Sequence, residues 1–423
     1  MNKTREVLVT AFALFSLFFG AGNLILPPFL GYSSGNDWFI VTIGFAITAV
    51  FIPILGILAH AKLQGTMFDF GKKVSPIFSS IYCFAVYIIA ISLPAPRTAS
   101  VTHEMAIAPF FNSSALLTST IYFALVFVFV LNRSKILDLI GQYLTPLIGI
   151  ILLSIIFIGI VTSPVAVSQT FLEAPIVNGI LEGYQTFDAI GAVVVGAVIV
   201  ISLNLKGNNS YNDKKEFIAK SGWIAGGGLL VIYAGLILCG SLFQTEFPKD
   251  ATRIEILTGL STFTLGHIGT LILSVLVALA CFTTAVGIVT GTCDYVKGLF
   301  KDSQVAYVIT AILGCLIGIL VGSFNVSFII DIALPALMFI YPITIVLILL
   351  NLLPDQYASK LVFRLVVFVT ILFSIPDFLQ FLIAKEKVQF LLDIIPFSNF
   401  SLGWVIPATI TFILVNIFKM KLR

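Results

Sequence analysis

Charge is scarce in this chain: Asp, Glu, Lys and Arg make up only 10% of its 423 residues, while 59% are hydrophobic. A soluble globular domain is about 25% charged, so that class is excluded and a chain crossing a bilayer many times is implied. The net charge of +3 is too small to point to an acidic partner, and nothing in it suggests nucleic acid. Cysteine is sparse too. Cys83, Cys239, Cys281, Cys293 and Cys315 fall within or at the ends of apolar stretches, without CxxC or metal spacing, and read as small buried residues. His60, His103 and His267 sit near the ends of such stretches and do not cluster, so they read as interfacial residues, not metal ligands. No Walker-type glycine loop supports direct ATP coupling within this chain. No clustered His, Cys or carboxylates mark an enzyme centre, and no charged ring or repeated filter sequence marks a channel. No organic cofactor is expected. The first apolar stretch is too long for a cleaved signal peptide and lacks a small-residue cleavage pattern, so it is expected to be retained.

What the chain has in abundance is apolar stretches of spanning length. Hydropathy predicts twelve, near 7–31, 38–61, 76–100, 115–131, 143–163, 180–203, 217–242, 267–296, 305–322, 326–352, 361–383 and 399–420. A helix needs roughly 20 apolar residues to cross the hydrocarbon layer. The expected fold is therefore an all-α polytopic membrane protein with 12 transmembrane helices. Basic residues favour cytoplasmic loops. With both termini inside, Lys3 and Arg5, Lys62, Lys72 and Lys73, and Arg133 and Lys135 collect on one side, together with Lys206, Lys214, Lys215 and Lys220. Lys297, Lys301, Lys360, Arg364, Lys419, Lys421 and Arg423 join them. Of the 23 Lys and Arg residues only Arg97, Lys249, Arg253, Lys385 and Lys387 face the other side. This implies a multi-pass protein of the cell membrane with cytoplasmic termini, surrounded by lipid. The polar stretches 244–265 and 384–398 read as short helices over the outer face or as ordinary loops.

The first span contains an anomaly, Phe18-Phe19-Gly20-Ala21-Gly22-Asn23, followed by Pro27-Pro28. Glycine lowers helix propensity by about 1 kcal/mol relative to alanine, and asparagine brings an amide to hydrocarbon depth. Broken backbone survives there only where it is buried in protein or lines a cavity. A site inside the membrane is implied, and with it transport. Broken helices in transporters come in pairs, one in each inverted repeat. The sixth span supplies the partner, Gly183-Tyr184-Gln185-Thr186-Phe187-Asp188-Ala189-Ile190-Gly191-Ala192. A carboxylate within a span is costly unless paired or solvated. Five spans per repeat, an odd number, give the second repeat opposite topology. The expected organisation is a first repeat over 1–163, a second over 178–352, and two peripheral helices with the tail over 353–423.

Three motifs carry a family resemblance: Phe12 to Pro28, Pro96-Arg97-Thr98-Ala99, and Tyr184-Gln185-Thr186-Phe187-Asp188-Ala189. Together with length and span count, they closely resemble the bacterial branched-chain amino acid:cation symporters (BrnQ-type carriers). The resemblance implies sodium-coupled uptake of leucine, isoleucine or valine on the LeuT-type five-plus-five inverted-repeat fold, with helices 1 and 6 broken and Na⁺ as the coupling ion.

Such a substrate needs its carboxylate, ammonium and side chain recognised. N–H groups of Ala21, Gly22 and Asn23, at the start of the second half-helix, can meet the carboxylate. Gly20 and Gly22 would let the substrate approach the backbone, or would serve tight helix packing. Carbonyls freed in spans one and six, with Asp188 or Gln185, can meet the ammonium. Asp188 also reads as a structural hydrogen-bond hub or as a proton-titrating site, which with Glu104 would suit a proton-coupled symporter of the same fold. Phe18, Phe19 and Phe187 are candidates for the side-chain pocket. By the resemblance, the Thr283 and Thr284 hydroxyls and the Ala280 carbonyl would bind Na⁺ with carbonyls near Ser16 and Phe19. Threonine hydroxyls also bond back to their own helix, and that alternative stands. Arg97 and Asp331 are expected to meet over the substrate as an extracellular gate, unless Arg97 snorkels to outer headgroups.

Overall fold

Helix is the only regular structure the sequence can form at hydrocarbon depth without a closed barrel, because every backbone N–H and C=O must be satisfied internally. The computed structural model describes residues 3–132, 135–164, 169–194, 196, 210–383 and 385–421, and among these it contains helices and no strand. Arg133, Lys206, Arg423 and the end of the sixth span beyond 196 lie outside the described residues. Among the described residues, seven helices are long and apolar enough to cross a membrane, and 115–131, 146–162 and 405–419 are shorter apolar helices. Large apolar side chains such as Phe157, Ile268 and Val305 are exposed, as a surface facing lipid requires.

The helices relevant to the site are α1 (Lys3–Phe18), α2 (Ala21–Ser34), α3 (Trp38–Ala46) and α4 (Ile52–Leu63), joined through a wide turn at Ile47–Phe51. After α5 (Met67–Gly71) come α6 (Pro76–Ser92), α7 (Pro94–Thr102), α8 (Ala115–Leu131), α9 (Lys135–Thr162) and α10 (Pro175–Tyr184). Helix α11 covers 188–194, followed by α12 (Tyr211–Leu242), α13 (Arg253–Leu299), α14 (Gln304–Gly322) and α15 (Val326–Leu352). The chain closes with α16 (Lys360–Leu379), α17 (Lys385–Ile394) and α18 (Val405–Lys421). Starts are written in the sequence: Ser75, Ser114, Ser210, Thr252, Ser303 and Asn325 each accept a first-turn N–H. The third span runs beyond the expected residue 100. It bends at Leu93, where Pro94 cannot donate to the ladder, then continues through α7 to a wide turn ending at Ile107. Helix α13 joins a short helix over 253–265 to the eighth span through Gly266, whose φ of +71° is a left-handed conformation that glycine adopts at no steric cost. The 385–394 stretch is likewise helical.

Two packings position the breaks. Helices α1 and α2 both lie along α12, and α10 and α11 lie along α3 and α4. Close approach needs small residues at the crossing. A Cβ at Gly31 would strike the Ile237 carbonyl, and one at Gly240 the Pro28 carbonyl. Gly44 and Gly179 do the same for α3 against α10. His60, expected at an interface, is instead fully buried, its Nε2 2.7 Å from the Val193 carbonyl. The imidazole fills the crossing between α4 and the sixth span, a packing that residue order along one helix does not reveal.

Candidate functional site

The interruption in the first span falls at Phe19–Gly20. Phe19 N–H still bonds the Phe15 carbonyl at 2.9 Å, but Gly20 N–H turns to Phe18 O at 3.0 Å, and Gly20 is extended (φ −100°, ψ −175°). Ala21, Gly22 and Asn23 then form the first turn of α2. The first N–H groups of a helix lack intrahelical acceptors and carry its positive dipole end. Asn23 folds its Oδ1 back to the Gly20 N–H at 3.4 Å, the reciprocal half of a capping box. Its Nδ2 is thereby free to donate to Asp188 Oδ2 at 2.6 Å and to the Tyr233 hydroxyl. Tyr233 also donates to Asp188 Oδ2 at 3.4 Å. All three side chains are buried.

The sixth span breaks at the same place in space. Helix α10 ends at Tyr184, residues 185–187 turn, and Phe187 holds a φ of +63°. A bulky residue in that region costs of order 1–3 kcal/mol and persists only where the surroundings enforce it. The turn puts Asp188 in the first turn of α11, where the helix dipole favours a carboxylate. Its own N–H donates to Thr186 Oγ1 at 3.2 Å. The Tyr341 ring stacks on Tyr184 at 4.3 Å, and its hydroxyl accepts the Ala189 N–H at 3.3 Å.

Arg97 of α7 reaches into this junction. Its Nη1 donates to the Gln185 carbonyl at 2.9 Å, and its guanidinium lies 5.4 Å from the Phe187 ring centre. Gly22 sits against it: a Cβ there would stand 3.0 Å from Arg97 Cζ and 3.2 Å from Gln185 O. The space beside Gly22, expected to admit a substrate to bare backbone, is thus taken by Arg97. Arg97 is 4% exposed and does not snorkel; Asp331 is exposed, and the two form no ion pair in this conformation. Here the guanidinium is held by a carbonyl of the sixth span, and Asp331 lies at the surface of α15. The ion pair over this region is a different one. Arg253, on the short helix before Gly266, binds Glu182 at 2.9 Å while its guanidinium caps the Phe29 ring at 4.4 Å.

The residues expected to hold Na⁺ divide. Thr284 comes to the break: a Cβ at Gly20 would stand 3.9 Å from its methyl. Thr283 Oγ1 donates to the Ala280 carbonyl at 2.9 Å, so its hydroxyl is turned onto its own helix here. Ser16 and Phe19 flank the end of α1. Phe18, Phe19 and Phe187 are buried, and Phe19 stacks on Phe15 at 5.0 Å. Glu104 accepts the Val326 N–H at 2.8 Å, capping α15. Tyr233 was not expected from sequence; its only signal is a lone hydroxyl midway along an otherwise Gly- and Leu-rich span. The five cysteines are all free and buried, as expected.

A family model described as branched-chain amino acid transport protein matches residues 3–422. The branched-chain amino acid permease BraB of Bacillus subtilis is 31% identical over 420 residues, 96% of this chain and 94% of that protein. The branched-chain amino acid transport system 2 carrier protein of Pseudomonas aeruginosa is 31% identical over 423 residues, 97% and 95% of the two chains. Among solved structures, the inward-facing conformation of Mhp1, a nucleobase-cation-symport-1 family transporter, aligns with a TM-score of 0.60 at 12% identity. That alignment covers 97% of this chain and 91% of Mhp1. A manganese transporter of Eremococcus coleocola aligns at 0.52 with 13% identity, covering 94% of this chain and 95% of that one. At such identities the likeness is one of fold.

Proposed function

The chain belongs to the branched-chain amino acid transport protein family, and on that premise we propose that it takes up leucine, isoleucine or valine together with Na⁺ by alternating access. Membership makes it a transporter and not an enzyme. The observation that carries the reading is the meeting of two helix breaks through Asn23 and Asp188, from the first and sixth spans. Zwitterion recognition needs donors and acceptors close together, and this junction supplies both. First-turn N–H groups of α2 suit the carboxylate. Asp188 suits the ammonium. The buried phenylalanines suit an aliphatic side chain.

Twelve spans in a LeuT-type five-plus-five inverted repeat fit the packing. The first span lies on the seventh and the sixth on the second, the exchange a pseudo-twofold axis in the membrane plane would generate. Cytoplasmic termini follow from the Lys and Arg distribution. The coupling ion is assigned to carbonyls of Ser16, Phe19 and Ala280 with the hydroxyls of Thr283 and Thr284. Support comes from Thr284, which sits beside Gly20. Sodium, a hard cation, takes such oxygens.

Purified protein in liposomes should accumulate leucine only under an inward Na⁺ gradient, with choline unable to substitute. A second reading, proton coupling, is favoured by one observation: Asp188 is a buried carboxylate whose side-chain contacts are to neutral Asn23 and Tyr233. Uptake indifferent to Na⁺ but driven by a pH gradient would replace the first reading with the second.

A further inference from the structure

A buried positive charge needs a negative partner, and Arg97 has no ion-pair partner among the described residues. No carboxylate of the described residues lies within ion-pair distance of it, its Nε has no hydrogen-bond partner, and it is 4% exposed. Its one hydrogen bond is to a neutral carbonyl, Gln185 O. Removing an unpaired ion from water is costly enough that buried charges are paired in nearly all proteins. The neighbourhood makes matters worse. Arg97 is pressed against Gly22 in the first turn of α2, where the helix dipole is itself positive. Gln185 is fully buried, and neither atom of its side-chain amide has a partner. Two adjacent positive features and the unpartnered donors Arg97 Nε and Gln185 Nε2, where the two backbone breaks meet, are complementary to an anion.

We propose that Arg97 binds the α-carboxylate of the substrate, its Nε edge and the Gln185 amide completing the donors of the α2 first turn. This rests on the transport reading above and deepens it. The Arg97 Nη1 bond to the Gln185 carbonyl fixes the plane of the guanidinium and ties it to the sixth-span turn. On the far side of Asn23 stands Asp188. The junction is therefore polarised, positive at Arg97 and negative at Asp188, in the sense that a zwitterionic α-amino acid matches. The Pro96-Arg97-Thr98 motif thereby acquires a role in specificity: it selects amino acids against amines and alcohols bearing the same aliphatic group. Gly22 is required because a side chain there would displace the guanidinium.

The test compares leucine with leucinol, which keeps the ammonium and the isobutyl group and lacks the carboxylate. Binding of each to purified full-length protein is measured in sodium buffer, for the unaltered protein and for Arg97→Gln, Arg97→Lys and Gly22→Ala. A charge-assisted hydrogen bond is worth roughly 10- to 100-fold in affinity. Arg97→Gln should weaken leucine by about that factor, leave leucinol nearly unchanged, and so collapse the leucine-to-leucinol ratio. Arg97→Lys, a point charge without the fork, should retain an intermediate ratio. An unchanged ratio in folded Arg97→Gln would overturn the proposal. Should that variant fail to fold, Gly22→Ala decides by the same ratio: a fall supports the assignment, an unchanged value overturns it. Absence of leucine binding to the unaltered protein would sink the transport reading instead.

Discussion

Replacing Asn23 by alanine removes three contacts at once: the Gly20 cap at 3.4 Å, the donation to Asp188 at 2.6 Å, and the bond to the Tyr233 hydroxyl. The cap is worth about 1 kcal/mol and the hydrogen bond to a charged group about 1.5–3 kcal/mol. If both act on the substrate-binding arrangement, the loss approaches ~3 kcal/mol, or on the order of 100-fold in leucine uptake at low substrate. Tyr233→Phe removes a hydroxyl that donates to Asp188 at 3.4 Å and accepts from Asn23. That change should cost about 1 kcal/mol, roughly fivefold. The two residues share one acceptor, Asp188 Oδ2, so their effects should not add. The double variant should lie within about 0.3 kcal/mol of Asn23→Ala alone, well short of the further ~1 kcal/mol that additivity would add. Initial rates of leucine uptake in proteoliposomes at fixed Na⁺ give the values, and melting of the purified proteins separates folding from function. An additive double variant, or a Tyr233→Phe costing more than Asn23→Ala, would refute the shared-acceptor geometry.

Thr284→Ala should raise the Na⁺ concentration for half-maximal uptake several-fold more than Thr283→Ala, because the Thr283 hydroxyl is turned onto Ala280 O; equal shifts in uptake titrations would contradict this. Glu182→Gln breaks the pair with Arg253, in which both side chains are 17% exposed. Hydrogen exchange over 253–265 should then quicken, and unchanged protection would mean that Phe29 alone holds that helix. Glu104→Gln removes an anion from the start of α15, where it is worth about 0.3–1 kcal/mol. The melting temperature should fall slightly while the pH profile of uptake stays put; a displaced profile would make Glu104 a proton carrier.

Much of the site was legible because hydrocarbon makes polar residues conspicuous. Gly20, Asn23, Gln185 and Asp188 stood out as interruptions that lipid cannot solvate, and both interruptions are breaks in the structure. The exact placement of the first break, at Phe19–Gly20, depends on how Asn23 caps α2, a detail of local hydrogen bonding. Arg97 was visible as an isolated cation, but what it touches in this conformation was not. Opposite charge suggested Asp331, whereas the fold brings the guanidinium to a backbone carbonyl and a glycine. Tyr233 and the Arg253–Glu182 pair were silent, since each is ordinary in its own stretch of chain.

The sequence by itself determined that this chain is helical, membrane-embedded and interrupted twice at depth. Those properties follow from local terms: apolar run length, charge placement and the inability of lipid to satisfy backbone. Which residues meet was decided only by tertiary structure. The contact of Asn23 with Asp188 spans 165 positions, and that of Arg97 with Gln185 spans 88. Each depends on helix crossings set by small residues on both partners. A one-residue shift in such a crossing turns a side chain by about 100° around its helix, which decides whether a charge faces an acid, a carbonyl or lipid.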